Sequence, residues 1–251
     1  MDDDFLLIDK PAGMTSFGVV ARVRRVLSEK AGHKVKVGHT GTLDPFATGL
    51  LILLIGKGTK RSNEFLKLDK WYEATIRLGA TSSTGDPEGE ITPFDKHNSR
   101  RRVLAARLHG RSALNLGSSL RNATGISSSN SPSLEEVQEV VGSFVGEIEQ
   151  RVPNFSAVKI NGERAYKLAR KGVDVEMPVR KVQIYQIDIM DYKWPELKIR
   201  CHVSSGTYIR TLGEDIGAAL GVGGYLTDLR RTQVGEYKVD DATKLEDFMG
   251  N

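Results

Sequence analysis

Apolar and polar side chains alternate along the stretch WYEATIRLG, from Trp71 to Gly79. The apolar members are Tyr72, Ala74, Ile76 and Leu78. Because successive side chains of a strand point to opposite faces, this period of two predicts a half-buried β-strand. The same alternation returns in KVQIYQIDI (181–189) and in ELKIRCHVS (196–204), so we expect several strands of this kind.

Helical spacing appears in separate segments of the chain. Phe17, Val20 and Val23 recur at helical spacing, which predicts a helix over about 16–30. Ser133 and Glu136 form a predicted capping box, and a further helix is expected over about 207–220. The apolar face of the helix after Ser133 is predicted to hold Leu134, Val137, Val141 and Phe144.

Two shorter patterns complete the prediction of the fold. Leu6 to Ile8 are expected to form a strand, and SAVKINGERAYKLARKG (156–172) predicts a strand, an Asn161-Gly162 turn and a helix that ends at Gly172. Half-buried strands mixed with separate helices favour an α+β fold with a mostly antiparallel sheet.

Composition excludes several classes of protein. The single cysteine, Cys201, allows no intramolecular disulfide, which is typical of a reducing cytoplasm. The five histidines lack metal-ligand spacing, so no metal site is expected. The longest apolar run, residues 50–55, is too short to cross a membrane. GLLILLIGKGT (49–59) does not match the phosphate-loop pattern, and we expect a cytoplasmic protein without a cofactor.

Positive charge is concentrated in the segment from His97 to Pro132. This segment has six arginines, no acidic residue and a serine-rich end. Without these arginines and Lys96 the formal charge would change from +4 to −3. Two interpretations stay open for this basic insertion at about 97–132: a disordered spacer, or an arm that binds RNA phosphates.

Asp44 lies in the Gly- and Thr-rich stretch GHTGTLDPFATGLL (38–51). It is the only acidic residue between Glu29 and Glu64, an interval that contains six lysines or arginines. From the residues alone, an acid in this position is a structural turn residue, a metal ligand or a reacting group.

Five motifs in this order resemble those of the TruB-type tRNA pseudouridine synthases. They are KPAGMTSF (10–17), GHTGTLDPFATGLL (38–51), DKWYEATIRLG (69–79), FSAVKINGERAYKLARKG (155–172) and SSGTYIRTLGEDIGAALGVGGYLTDLRR (204–231). The resemblance implies the pseudouridine-synthase fold with a central RNA-binding cleft. It also implies isomerisation of uridine 55 in the TΨC arm of tRNA, without metal or cofactor.

The resemblance assigns catalytic roles to Asp44, Arg210 and Tyr72. It implies that Asp44 is the nucleophile, which suits a carboxylate because it can attack carbon and later leave. The position of attack, ribose C1′ or uracil C6, stays open. Arg210 is expected to pair with Asp44 and keep it ionised, and Tyr72 to stack on the extruded base.

Further positions match substrate-binding residues of the family. His39 is expected to contact the flipped region of the tRNA loop, and Tyr208 and Leu229 to line the substrate pocket. Asp86 matches an aspartate of a family motif, with turn formation or core packing as the alternative. Lys10, in the KPAGMTSF turn, is expected to shape the cleft wall and to meet phosphate.

The chain is expected to be one catalytic domain over 1–251 without a C-terminal PUA-type domain, and a monomer. The expected partner is tRNA, through its TΨC arm, with no membrane and no obligatory protein partner. Two alternatives stay open: a tRNA-binding or folding module without catalysis, and a guide-RNA-dependent pseudouridine synthase.

Overall fold

The computed structural model describes residues 5–94, 131–160, 162–173 and 175–250. The basic insertion therefore lies, from residue 97 to residue 130, outside the described residues, as does Asn161 of the predicted turn. The α-helices are α1 Ser16–Ala31, α2 Ser62–Leu66, α3 Leu134–Gly142, α4 Ala165–Arg170, α5 Ile209–Ala219 and α6 Leu245–Gly250. Short 3₁₀ helices cover Gly56–Arg61 and Val239–Asp241. No helix in this part of the chain is long and apolar enough to cross a membrane.

Strands make up much of the described chain. They are β1 Phe5–Lys10, β2 Val37–His39, β3 Thr48–Ile55, β4 Lys70–Leu78, β5 Ala80–Ser82, β6 Ile91–Pro93, β7 Gly146–Arg151, β8 Lys159–Ile160, β9 Glu163–Arg164, β10 Val179–Lys193, β11 Glu196–Val203, β12 Gly224–Val234, β13 Tyr237–Lys238 and β14 Thr243–Lys244. Each stretch in which alternation predicted a strand forms one, and the α+β class is confirmed.

The chain divides into two compact units. The first comprises Met1–Glu73, His202–Ser205 and Asp228–Asn251, and the second comprises Ala74–Cys201 and Gly206–Thr227. The expectation of one catalytic domain over 1–251 stays a prediction.

In the first unit, neighbouring strands follow the order β14-β1-β3-β12. Antiparallel pairing joins β1 to β3 and β2 to β3, whereas β14 pairs with β1 and β12 with β3 in parallel. Strand β3 is buried on both faces, which is why its sequence is a continuous apolar run rather than an alternation. Leu51 and Leu53 pack with helix α1, and Leu50, Ile52 and Leu54 pack with Phe65.

Helix α1 begins and ends where the sequence predicts. The Thr15 hydroxyl accepts a hydrogen bond from the Gly18 amide at 3.0 Å, and Gly32 ends the helix in the left-handed conformation, with φ of 69°. Val19, Val20, Val23 and Leu27 are its buried apolar residues. The last three residues of the KPAGMTSF motif therefore form the cap and the beginning of this helix.

In the second unit, strands follow the order β4-β11-β10-β7, and β5–β6 and β8–β9 form antiparallel hairpins. The capping box of α3 is confirmed, because Ser133 and Glu136 exchange side-chain and backbone hydrogen bonds. The prediction for Leu134 is wrong: it is 45% exposed. The buried side of α3 is centred on Val137, Val140 and Val141, which turns the first helical residue toward solvent.

Candidate active site

Asp44 lies in the loop between β2 and β3, in a tight turn of the chain. The carbonyl of Asp44 accepts a hydrogen bond from the Ala47 amide at 3.2 Å, with Pro45 at the second position of the turn. Proline presets the backbone angle that this position requires, so the turn needs little ordering of the chain. The Asp44 residue is half-buried. This turn fixes the backbone of Asp44 between β2 and β3.

The residue before Asp44 is held by Ser16. The Ser16 hydroxyl, which is buried, accepts a hydrogen bond from the Leu43 amide at 2.8 Å and donates one to the Leu43 carbonyl at 3.0 Å. On the other side of Asp44, the Gly13 amide donates to the Pro45 carbonyl at 2.8 Å. The KPAGMTSF segment thus anchors the turn on both sides of Asp44. Sequence reasoning did not assign this function to Ser16.

Lys10 is buried beside the turn that contains Asp44. Its side chain is fully buried, and Nζ donates to the carbonyls of Pro11, Met14 and Pro45 at 2.8, 2.6 and 3.2 Å. Lys10 thus holds the backbone beside Asp44. Its expected contact with phosphate stays a prediction.

Arg210, near the start of α5, is a buried cation with three acceptors. Nη1 donates to the Thr84 carbonyl at 2.9 Å and to Oδ2 of Asp86 at 3.2 Å, and Nη2 donates to the Phe155 carbonyl at 2.8 Å. The side chains of Arg210 and Asp86 are 5% and 4% exposed. A guanidinium with this many partners has a preset orientation. The pairing of Arg210 with Asp44 joins residues of the two different units and stays a prediction.

Asp86 is the buried ion-pair partner of Arg210. Its Oδ1 accepts hydrogen bonds from the Glu88 amide at 3.0 Å and from the Thr84 hydroxyl. Both carboxylate oxygens are engaged and the residue is buried, so turn formation describes part of what Asp86 does. Its expected role in substrate binding stays a prediction.

Tyr208 immediately precedes α5, and Gln150 of β7 holds its backbone. Tyr208 donates its amide to Gln150 Oε1 at 3.0 Å, and Gln150 Nε2 donates to the Tyr208 carbonyl at 3.3 Å. Gln150 is buried, and the sequence contains no motif that singles it out. The ring of Tyr208 is half-buried beside Val152, Ala165 and Met177.

Three further predicted residues lie on strands of the first unit. Tyr72 is buried on β4, on the same face as Lys70. His39 is half-buried at the end of β2, opposite Leu53 of β3. Leu229 is buried on β12. Their assigned roles toward a base stay predictions.

Two ionisable groups have shifted pKa values because of burial. Burial and the nearby positive charge of Arg231 lower the pKa of Lys70 from 10.5 to about 8, and Asp69 opposes this shift. Burial raises the pKa of the Cys201 thiol to about 12, which keeps it protonated and unreactive. Within the described residues, no group of three or more His, Cys, Asp or Glu side chains is arranged to hold a metal ion.

Two family profiles match this chain. The TruB family pseudouridylate synthase N-terminal domain matches residues 24–116 and 114–209. The tRNA pseudouridylate synthase B C-terminal domain matches residues 210–250.

Curated relatives match nearly the whole chain. A protein named tRNA pseudouridine synthase B from Phocaeicola vulgatus is 41% identical over 98% of this chain and 92% of its own length. A protein of the same name from Bifidobacterium longum (strain DJO10A) is 43% identical over 96% of this chain. This chain spans 65% of the length of that relative.

Among solved structures, a Cbf5-Nop10-Gar1 complex contains a chain with the same fold. It superposes with a TM-score of 0.64 at 27% identity, covering 98% of this chain and 53% of the other. Together the two profile matches cover residues 24–250. The chain therefore belongs to the TruB family of pseudouridylate synthases.

Proposed function

We propose that this protein isomerises uridine to pseudouridine in tRNA, at uridine 55 of the TΨC arm. The similarity to the Phocaeicola vulgatus tRNA pseudouridine synthase B carries the proposal, because it extends over nearly the full length of both proteins. The motif around Asp44 supplies a carboxylate that can act as a nucleophile, and Arg210 supplies a buried cation.

The reaction moves the glycosidic bond within one nucleotide. The N1–C1′ bond breaks, a C5–C1′ bond forms, N1 gains a proton and C5 loses one. Asp44 is the proposed nucleophile that forms the transient covalent bond, at C1′ or C6. Its tight turn, anchored by Ser16 and Gly13, supports this role because covalent attack requires a near-attack geometry.

Arg210 and Asp86 have linked roles in the proposal. An apolar cleft raises the pKa of a carboxyl group, and a neighbouring cation opposes that rise. Arg210 is the proposed cation for Asp44. Asp86 and the Thr84 and Phe155 carbonyls hold the guanidinium, so that little reorganisation is needed when substrate binds.

When the target base leaves the tRNA stack, protein side chains must replace the stacking interactions that the base loses. Tyr72 is the proposed stacking partner of the flipped base, since an aromatic face contributes roughly 1–3 kcal/mol per base. His39 is proposed to contact the remodelled tRNA loop, and Tyr208 and Leu229 to line the base pocket. We propose that the protein acts on tRNA without a guide RNA or an obligatory protein partner.

The direct test uses the purified protein and an unmodified tRNA transcript. Cyanoethylation labels pseudouridine, and nuclease digestion with mass spectrometry then locates the label. We expect one label at position 55, and none with the Asp44→Asn protein or with a transcript that carries cytidine at position 55. Absence of pseudouridine, or a label elsewhere in the tRNA, would contradict the proposal.

A further inference from the structure

Arg231 of β12 is a buried cation whose side chain binds the backbone on both sides of Asp44. It is 1% exposed. Its Nε donates to the Leu50 carbonyl at 2.8 Å, and its Nη2 donates to the Gly41 carbonyl at 3.2 Å. Gly41 precedes Asp44 by three residues and Leu50 follows it by six, so one guanidinium connects the two ends of the segment 41–50.

Glycines permit this close approach at each end of the segment. Gly41 has φ of +125°, and a Cβ there would lie 3.5 Å from Nη1 of Arg231. Gly49 has φ of +102°, and a Cβ there would lie only 2.3 Å from the Arg231 carbonyl oxygen. Gly49 is also the register partner of Arg231 in the parallel β3–β12 pair. The segment is therefore shaped around the side chain and backbone of Arg231.

The environment of Arg231 is unfavourable for a buried positive charge. Burial, and to a smaller extent the charge of Arg231, lower the pKa of the neighbouring Lys70 to about 8. Burying a guanidinium is costly unless its donors are satisfied, and both acceptors here are main-chain carbonyls of the Asp44 segment. From this position an arginine can donate to two carbonyls at once, which a buried apolar residue cannot do.

We propose that Arg231 is a positioning residue for Asp44, joining Gly41 to Leu50 so that the segment between them has one conformation. The inference rests on the proposed function for its catalytic consequence. Arg231 acts through the backbone of residues 41–50 and not on a reacting atom. Ser16 supports the same segment at Leu43 by an independent pair of hydrogen bonds.

The test compares Arg231→Met, which removes both donors at similar length, with Arg231→Lys, which keeps the charge but loses the fork. Amide hydrogen exchange of the peptide covering 40–50 measures the conformation of the segment. Release of tritium from tRNA labelled at uridine C5, under single-turnover conditions, measures the reaction. We expect exchange at least tenfold faster and a rate about 10²-fold lower for Arg231→Met, with the tRNA Kd changed by less than about threefold. Arg231→Lys should show a similar loss of rate.

Leu27→Ala is the matched control, because Leu27 is buried in the same unit, in a core cluster that contains no residue of 41–50. It should lower the unfolding temperature while keeping the rate and the exchange of residues 40–50 near those of wild type. If Arg231→Met does not fold, Arg231→Lys and Ser16→Ala are measured in its place, and the same two changes are expected.

Unchanged exchange of residues 40–50 in the Arg231 variants would overturn the inference. So would a normal rate despite faster exchange, or an equal loss of rate in Leu27→Ala at the same loss of stability. A wild-type protein that makes no pseudouridine would refute the proposed function and the catalytic part of this inference. Exchange would then still decide whether Arg231 holds the segment.

Discussion

Replacing Asp86 by asparagine should destabilise the second unit strongly, although the side chain keeps its size. The asparagine can still accept hydrogen bonds through Oδ1, as Asp86 does from the Glu88 amide. It would present an amide or a neutral oxygen to Arg210, whose side chain is 5% exposed. Removing one partner of a buried ion pair costs about 3–5 kcal/mol. Because Arg210 keeps two carbonyl acceptors, we expect a loss near the lower limit, about 3 kcal/mol.

The matched control is Glu147→Gln, which removes one partner of the exposed Lys181–Glu147 pair in the same unit. That pair is shorter, at 2.8 Å, but its side chains are 67% and 60% exposed. An exposed pair contributes about 0–1 kcal/mol, so this variant should unfold almost like wild type. The comparison separates burial from distance as the origin of the effect.

Thermal and urea unfolding, followed by circular dichroism, provide the measurement. For a chain of this size a loss of about 3 kcal/mol lowers Tm by about 6–12 °C. Asp86→Asn unfolding within about 1 kcal/mol of wild type would refute the reasoning. So would an equal loss in Glu147→Gln, because burial of the ion pair would then not matter.

Three further predictions concern Asp44, Tyr72 and Lys70. Asp44→Asn should lower pseudouridine formation by more than about 10²-fold with unchanged unfolding, measured by tritium release; residual activity above about one per cent would exclude the nucleophilic role. Tyr72→Ala should lose activity because it removes the ring that stacks on the base. Tyr72→Phe keeps the ring, so its activity shows what the hydroxyl contributes. A fully active Tyr72→Ala would contradict the stacking role. The pKa of Lys70 is about 8 in the folded protein, against an unperturbed value of 10.5. Between these pH values Lys70 is protonated in the unfolded state but mostly deprotonated in the folded state. The free energy of unfolding of the wild-type protein should therefore rise with pH across this range. Urea unfolding at about pH 7.5 and about pH 9.5 should show this rise, and Lys70→Met should lack it; equal pH dependence in both proteins would exclude the pKa shift.

Local patterns predicted most of the secondary structure because the signals are local. The alternation in β4 and β11 places Tyr72, Ile76, Leu197 and Ile199 on buried faces, as expected. Helix α1 is bounded by a threonine cap and a glycine, both readable from neighbouring residues. Leu134 shows the limit of such patterns, because the side of α3 that becomes buried depends on what packs against it.

Polar residues were harder to assign, since their roles depend on partners far along the chain. The sequence did not show that the Lys10 side chain is buried and donates to the carbonyls of Pro11, Met14 and Pro45. Asp86 pairs with Arg210, which lies 124 residues away in sequence. No periodicity or spacing connects residues that are this distant.

The sequence by itself determined the α+β class, the capping box of α3 and, through the motif around Asp44, the family to which the chain belongs. Short-range sterics and side-chain periodicity act between neighbours, so these features do not depend on the rest of the fold. Only the tertiary structure decided that Arg231 binds the carbonyls of Gly41 and Leu50, 190 and 181 residues away. A buried charge must be satisfied by whichever acceptors the fold brings within reach, and that choice is made by the packed chain as a whole.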